Sequence, residues 1–357
     1  MIKTACIIRP GSFEDPDPAK RGLIEVRDMP DRELTPEAIR IKVAYCAICG
    51  SEAHMFQAGW TSSMPPSTEP RGFGHEVSGV VVEVGEKAIH RGLKVGDRVG
   101  ANFVHFCGDC DFCLSGQQQF CEHMREYAAP GMAEYVTWHE QQFYKLPDHV
   151  SLKEGCLVEP TAITVRMMDK LDMKVGQDAI ICGGGPIGLL ALQLLSMYGA
   201  ANLTLIEPIA ARRELAKTFG AVHTIDPLHE DVEARCKEIT GGKGFDKVLD
   251  ASGAKAMMPT LLQIVKRGGT VIYGAMYPAD YEMPLNLATY MYTKELTISG
   301  VMIAPYVFPR TVNMLPRLNL KPFVECVFPL AQAHDAMVMQ LTGKYPKILV
   351  ECNPGLE

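Results

Sequence analysis

The sequence predicts a two-domain α/β protein in which a doubly wound parallel-sheet domain is inserted into a β-rich one, and three observations carry this. Residues 1–100 read as short β-branched runs separated by Gly and Pro, among them IRIKVAYCAI, SGVVVEVG and DRVGANFVHF. From about residue 158 to 300, strand-like runs alternate with helix-like ones, as in DAIICGG, PIGLLALQLLSMYG, NLTLIEP and AARRELAKTFG. That alternation is the pattern of parallel strands joined by crossover helices. Beyond Gly300 the chain is mixed and proline-rich again, so a C-terminal return is expected to complete the first domain. The expected division is therefore 1–157, with a small lobe at about 105–122, then 158–300, then 301–357. A length of 357 residues exceeds what one hydrophobic core usually serves, which agrees with two domains.

Composition removes several functional classes. The formal charge of −7 argues against nucleic acid as a partner, because phosphate binding needs a basic face. Apolar runs are broken by Gly, Pro or charge well before membrane-spanning length, so no membrane partner is expected. The start, MIKTACIIRPGSFEDPDP, has no long apolar segment followed by a small-residue cleavage site. Twelve cysteines without such a leader point to thiols and metal rather than disulfides, and to the cytoplasm.

The segment AIICGGGPIG (179–188) places Gly183, Gly185 and Gly188 in a G-x-G-x-x-G turn after an apolar strand, with Pro186 and Ile187 opening a helix. Such a turn lets the backbone approach a pyrophosphate, and the helix N-terminus offers N–H donors and a favourable dipole. Alone it is also compatible with an ordinary glycine turn. A second strand ends in Glu207, nineteen residues after Gly188, where a carboxylate can accept from both adenosine ribose hydroxyls. This favours NAD. Arg212 and Arg213 on the next helix leave room for NADP, although solvated helix surface is the commoner fate of such arginines.

Cys107, Cys110, Cys113 and Cys121 form C-x2-C-x2-C-x7-C, with Gly108 and Gly116 available to turn the loop. Four thiolates at this spacing can close a tetrahedral shell around zinc, which leaves no open position and makes the site structural. An iron–sulfur cluster is the rival reading. Elsewhere, Cys49 lies in CGSEAH, His75 and Glu76 in GHE, and Glu159 in VEP.

Taken together these motifs identify a family. GHEVSGVVVEVGEKA (74–88) resembles the signature of the zinc-containing alcohol dehydrogenases, within the medium-chain dehydrogenases. GLKVGDRV (92–99), the four-cysteine lobe, the glycine turn and GKYPKILV (343–350) follow in that family's order. Glu159-Pro160 is similar to the polyol, sorbitol and threonine dehydrogenase branch, where liver-type members carry a cysteine. The resemblance covers essentially the whole chain and implies a GroES-like catalytic domain wrapped around a Rossmann domain.

It further implies a catalytic zinc held by Cys49 and His75 with Glu76 and Glu159 sharing the site unranked, a structural zinc on the four cysteines, and NAD on the Rossmann turn. The open coordination position would take a small hydroxylated substrate. The implied reaction is oxidation of a secondary alcohol of a polyol, sugar derivative, cyclitol or hydroxy-amino acid, with hydride leaving a zinc-bound alkoxide for the nicotinamide. Ser51 and His54 match the family's proton relay. A homodimer or homotetramer is implied, with ELTISGVMI (295–303) as the segment to inspect.

General alcohol/aldehyde oxidoreduction is a second enzymatic reading. A zinc-ribbon regulatory protein is a non-enzymatic one, opposed by the acidic charge and by the second metal constellation. A non-catalytic family member is opposed by the presence of every ligand.

The chain departs from the family in places. Glu52 stands where Asp is usual, Met132 replaces a common Phe, and Arg166 lies near a usual His. The stretch from Cys121 to Gly131 is short, and the segment between His54 and His75 carries Trp60 and Arg71. An arginine four residues before His75 could hold an anionic substrate group, though a surface ion pair is the commoner fate.

Overall fold

The β-branched runs of the first hundred residues become strands. In a computed structural model, residues 1–59, 69–126 and 130–356 are described. β1 (Ile2–Arg9) and β2 (Leu23–Met29) form an antiparallel pair. β3 (Ala38–Ala47) leads within two residues into α1 (Gly50–Ala58), which ends at Gly59 in the left-handed region, φ +79°. Next come β4 (Arg71–Gly72), β5 (Glu76–Val84), β6 (Arg98–Ala101) and β7 (Val104–His105). The four-cysteine lobe contains α2 (Asp111–Leu114), and β8 (Arg125–Glu126) pairs back on β7. β9 (Tyr135–His139), β10 (Phe143–Lys145), α3 (Leu152–Gly155) and α4 (Val158–Leu171) follow. α3 starts at a capping box, Ser151 and Glu154 each satisfying the other's backbone N–H.

The alternating region folds as β11 (Ala179–Cys182), α5 (Pro186–Met197), β12 (Leu203–Ile206), α6 (Ala210–Thr218), β13 (His223–Ile225) and α7 (Val232–Ile239). It continues with β14 (Phe245–Asp250), α8 (Met258–Ile264), β15 (Val265–Tyr273) and β16 (Thr297–Gly300). The six strands are all parallel in the order β13-β12-β11-β14-β15-β16. The order reverses between β11 and β14, and ligands of such sheets bind at the carboxyl ends of the strands at that reversal. β14 is buried along its whole length, as expected of a central strand covered by helices on both faces. Phe245, Val248, Leu261 and Val271 are among the residues of its core.

The C-terminal return supplies α9 (Phe308–Met314), β17 (Val327–Pro329), α10 (Ala333–Thr342) and β18 (Leu349–Glu351). These complete a seven-stranded sheet of order β10-β6-β5-β3-β18-β17, with β9 also on β3. Ile39, Ile41, Trp138, Phe143 and Val350 form part of its core, together with Met132, the residue that stands where the family usually has Phe. The chain thus divides into two compact units, Met1–Pro160 with Pro305–Glu357, and Thr161–Ala304. Among the described residues no helix is long and apolar enough to cross a membrane.

The GLKVGDRV turn that enters β6 is locked by Asp97. Its carboxylate accepts from the Lys94 N–H at 2.9 Å and the Lys145 ammonium at 2.6 Å, and its carbonyl accepts from Val81 N–H at 2.9 Å. Burial works to raise the Asp97 pKa, but these donors outweigh it and hold it below the usual carboxylate value. The resulting stabilisation is complete above the ordinary aspartate range and is lost as pH falls through the lowered value. Asp97→Asn is therefore expected to lower the thermal midpoint by about 2–4 °C at pH 7. The gap to the parent should close on acidification; a gap that persists at low pH would contradict this role.

Candidate functional site

Strand register assembles the first cluster. In the β3–β5 pair Ala47 lies opposite Glu76, so Cys49, two residues past Ala47, reaches the level of His75 and Glu76. On the other side of β3, Ala47 lies opposite Leu349, and Ile48 N–H donates to Ile348 O at 2.9 Å. That pairing delivers Lys347 from the C-terminal return to the same place. Cys49, His75 and Glu76 consequently offer ligand atoms within 4.8 Å of one another.

Glu52 holds this cluster in shape. Its Oε2 accepts from the Cys49 backbone N–H at 2.9 Å, and its Oε1 lies 2.8 Å from His75 Nδ1. One carboxylate, 2% exposed, thereby fixes the start of α1 and orients the imidazole. The longer side chain that replaces the family's Asp still spans both partners. Phe103 packs on the His75 ring, centroids 4.8 Å apart.

Glu76 is buried, and its Oε1 accepts from Lys347 Nζ at 2.6 Å. Its Oε2 is buried and has no hydrogen-bond partner among the described residues. Leaving such an oxygen without a donor costs about 1–3 kcal/mol or more. A cation shared with Cys49 and His75 would satisfy it, so the residues present fit a divalent metal. Burial raises the Glu76 carboxyl above its ordinary value, with Lys347 and His75 opposing. Glu159, at the start of α4, is pushed up to about 7, first by burial, which the charge of His75 opposes and that of Glu76 reinforces. It stands beside the cluster but outside the three residues whose ligand atoms converge. Burial would lower the Lys347 pKa, but Glu76, Cys49 and Glu52 together raise it.

Ser51 is half-buried in the first turn of α1, and His54 is exposed on the same helix. Arg71 is half-buried on β4 and lines a small cavity of about 20 Å³ with Ile7, Met55 and Glu69. Trp60 lies outside the described residues, as do positions 127–129 of the short stretch after Cys121.

The second cluster is the four-cysteine lobe, whose sulfurs all lie within 4.8 Å of one another. Cys107 Sγ is 3.5 Å from Cys121 Sγ and 3.9 Å from Cys113 Sγ. A tetrahedron of Zn–S bonds of 2.3 Å has edges of about 3.8 Å, so these separations suit zinc. Backbone N–H groups of Cys113 and Glu122 aimed at Cys110 lower its pKa to about 6, whereas burial raises that of Cys113 to about 12.

The glycine turn also takes the form its sequence implies. Gly183 has φ +101°, and a Cβ at Gly188 would lie 1.8 Å from Gly183 O. A Cβ at Gly185, the residue before α5, would touch nothing in the protein. Internal packing therefore does not require glycine there, whereas close approach of a ligand to the N-terminus of α5 would. Pro186 and Ile187 form the partly exposed first turn of that helix. Glu207 is 3% exposed and accepts from Gly184 N–H at 2.6 Å and Ile209 N–H at 2.8 Å. Arg212 Nη1 lies 4.0 Å from its carboxylate. Arg213 donates to the carbonyls of Glu207 and Pro208 and pairs with Asp226 at 2.9 Å.

Lys347 and Phe103 were not singled out from sequence. Lys347 lies inside the GKYPKILV motif, but its importance depends on a strand pairing between segments about three hundred residues apart in the chain. Phe103 carries no motif signal, only its position between β6 and the lobe.

Comparison with known proteins agrees with this geometry. Residues 35–148 match the alcohol dehydrogenase GroES-like domain, and residues 186–317 match the zinc-binding dehydrogenase domain. D-arabitol-phosphate dehydrogenase of Enterococcus avium is 33% identical over 92% of this chain and 93% of its own length. The 2-dehydro-3-deoxy-L-galactonate 5-dehydrogenase of Pseudoalteromonas atlantica is 32% identical over 90% of this chain and 94% of its own. The structure of 2R,3R-butanediol dehydrogenase from Bacillus subtilis superposes with a TM-score of 0.84 at 27% identity, covering 99% of this chain and all of that one. The chain belongs to the zinc-binding alcohol dehydrogenase family. It is an oxidoreductase of the zinc-dependent alcohol and polyol dehydrogenase type, with a GroES-like and a Rossmann-type domain.

Because Glu52 orients both Cys49 and His75, Glu52→Ala in zinc-loaded protein is expected to weaken metal retention at that cluster by about 10–100-fold. Competition with a chelator measures it, with the four-cysteine lobe as internal control. Equal retention by parent and variant would remove Glu52 from this role.

Proposed function

We propose that the chain oxidises a secondary alcohol of a polyol or sugar derivative to the ketone, using NAD. The observation that carries the reading is the convergence of ligand atoms of Cys49, His75 and buried Glu76, a carboxylate with one oxygen that has no hydrogen-bond partner among the described residues. Those three residues would hold a catalytic zinc, and Cys107, Cys110, Cys113 and Cys121 a structural one. When bound, the catalytic zinc supplies Lewis acidity toward a hydroxyl and the nicotinamide accepts hydride.

The chain's own residues supply the rest. Glu52, 2.8 Å from His75 Nδ1, holds the imidazole within the cluster. Lys347 holds one oxygen of Glu76, and the other has no hydrogen-bond partner among the described residues. Glu159, with its affinity for a proton near neutrality, stands beside the cluster and can exchange with Glu76 or partner a water there. Ser51, on the first turn of α1, takes the substrate's hydroxyl proton, and exposed His54 passes it outward. Phe103 gives the His75 side an apolar wall. The names of the relatives, an arabitol phosphate, a deoxy-galactonate and a butanediol dehydrogenase, support a hydroxylated carbon chain as substrate.

The Rossmann-type unit would bind the cofactor through Gly183, Gly185 and Gly188 and the first turn of α5, at Pro186 and Ile187. Glu207, just past the end of β12, would accept from the ribose hydroxyls and disfavour a 2′-phosphate, and Arg212, 4.0 Å from its carboxylate, would moderate that preference. The β-rich unit, with its structural lobe and C-terminal return, would carry the catalysis. β16 is an open sheet edge, and Leu287, Tyr292 and Met302 near it are exposed, which supports a homodimer or homotetramer through that edge. The free thiols throughout the chain suit the cytoplasm.

Screening NAD reduction over polyols, sugar phosphates, cyclitols and hydroxy-amino acids tests the reading. Cys49→Ser is expected to lose one zinc per chain and to cut turnover about 10²–10³-fold while keeping the fold. Activity confined to simple primary alcohols would overturn the substrate class. Activity and metal content unchanged in Cys49→Ser would overturn the site.

A further inference from the structure

Asp250, the last residue of β14, is fully buried at the carboxyl end of the strand beside β11. It therefore stands at the point where the strand order reverses. Its Oδ1 accepts from Ser252 N–H at 3.1 Å and Ser252 Oγ–H at 2.7 Å. Its Oδ2 accepts from Gly253 N–H at 3.1 Å and from the Tyr277 hydroxyl. One carboxylate thus ties down the whole turn after β14. Ser252 in turn packs on the first glycine of the cofactor turn: a Cβ at Gly183 would lie 2.8–2.9 Å from its atoms.

The segment after β15 closes over the same turn. Tyr277 reaches Asp250, and Tyr281 donates to Lys255 O at 3.0 Å. A Cβ at Gly253, which has φ +66°, would lie 2.9 Å from Met276 O. Residues 276–281 therefore form a strap across the Ala251–Lys255 turn, fastened by two tyrosine hydroxyls. Burial and the neighbouring Asp250 carboxylate hold the Tyr277 hydroxyl protonated, so it remains a donor.

A dinucleotide lies across such a crevice, its adenosine half on the β11–β12 side and its other half toward the strands beyond the reversal. We infer that Asp250 and Tyr277 are positioning residues that hold the Ala251–Gly253 turn as the β14-side wall of this crevice and thereby set affinity for the nicotinamide half of the cofactor. The inference rests on the proposed cofactor site. It assigns no contact with the reacting atoms to either side chain.

The test is titration of the full-length protein with NADH, and in parallel NADPH, followed by nucleotide fluorescence, and with AMP followed by calorimetry. Tyr277→Phe is expected to weaken dinucleotide binding about tenfold, the effect of losing one hydrogen bond to a buried carboxylate, while AMP affinity stays within about twofold. Asp250→Asn should act in the same direction and more strongly. Wild-type binding by Tyr277→Phe, or equal weakening of AMP and dinucleotide, would overturn the inference while leaving the cofactor site standing. Failure of the parent protein to bind NADH, NADPH and AMP would overturn both together. Should Asp250→Asn not fold, the Tyr277→Phe comparison decides alone.

Discussion

The burial of three carboxylates around one imidazole and one ammonium is the constraint on which the β-rich unit depends. Glu52, Glu76 and Glu159 are each no more than 3% exposed, as is Lys347. Removing charges from water is costly unless each finds a partner, and here acids outnumber permanent cations three to one. The result is visible in the proton affinities, since burial raises both Glu76 and Glu159. A divalent cation held by Cys49, His75 and Glu76 would offset this excess of negative charge and supply a partner that the buried acids lack.

The same constraint explains why the C-terminal return belongs to the first unit. Lys347 reaches Glu76 only because β18 pairs with β3 in the register that sets Leu349 opposite Ala47. Without that strand the cluster would lack the buried ammonium that pairs with Glu76. The four-cysteine lobe works differently. It is a local loop in which the sulfurs stand near tetrahedral spacing, so a zinc held there would have no open position and would fasten the lobe. The proposed roles of the two clusters, reactivity at one and stability at the other, follow from these different donor sets.

Much of this was legible in the sequence because it is local. The C-x2-C-x2-C-x7-C spacing, GHE and G-x-G-x-x-G each occupy a short segment, and the helix–strand alternation of a parallel sheet is written in short consecutive runs. What was not legible depends on pairing at long range. Glu52 looked like a departure from family pattern; only its contacts with Cys49 and His75 reveal that it serves both. Lys347 lay in a recognised motif without an assigned partner. The Asp250–Tyr277 contact links the ends of two adjacent strands through a loop that has no periodic signal. Two-residue strands such as β4, β7 and β8 are likewise set by their neighbours rather than by their own propensity.

The most direct measurement is zinc K-edge X-ray absorption on the zinc-loaded protein, with metal content counted per chain, before and after Cys49→Ser. The expected result is two zinc ions per chain that together have five sulfur ligands, the remainder being nitrogen and oxygen, with one ion and its mixed shell lost in the variant. A single zinc in an all-sulfur shell, unchanged by Cys49→Ser, would contradict the assignment of the buried carboxylate cluster as the catalytic metal site.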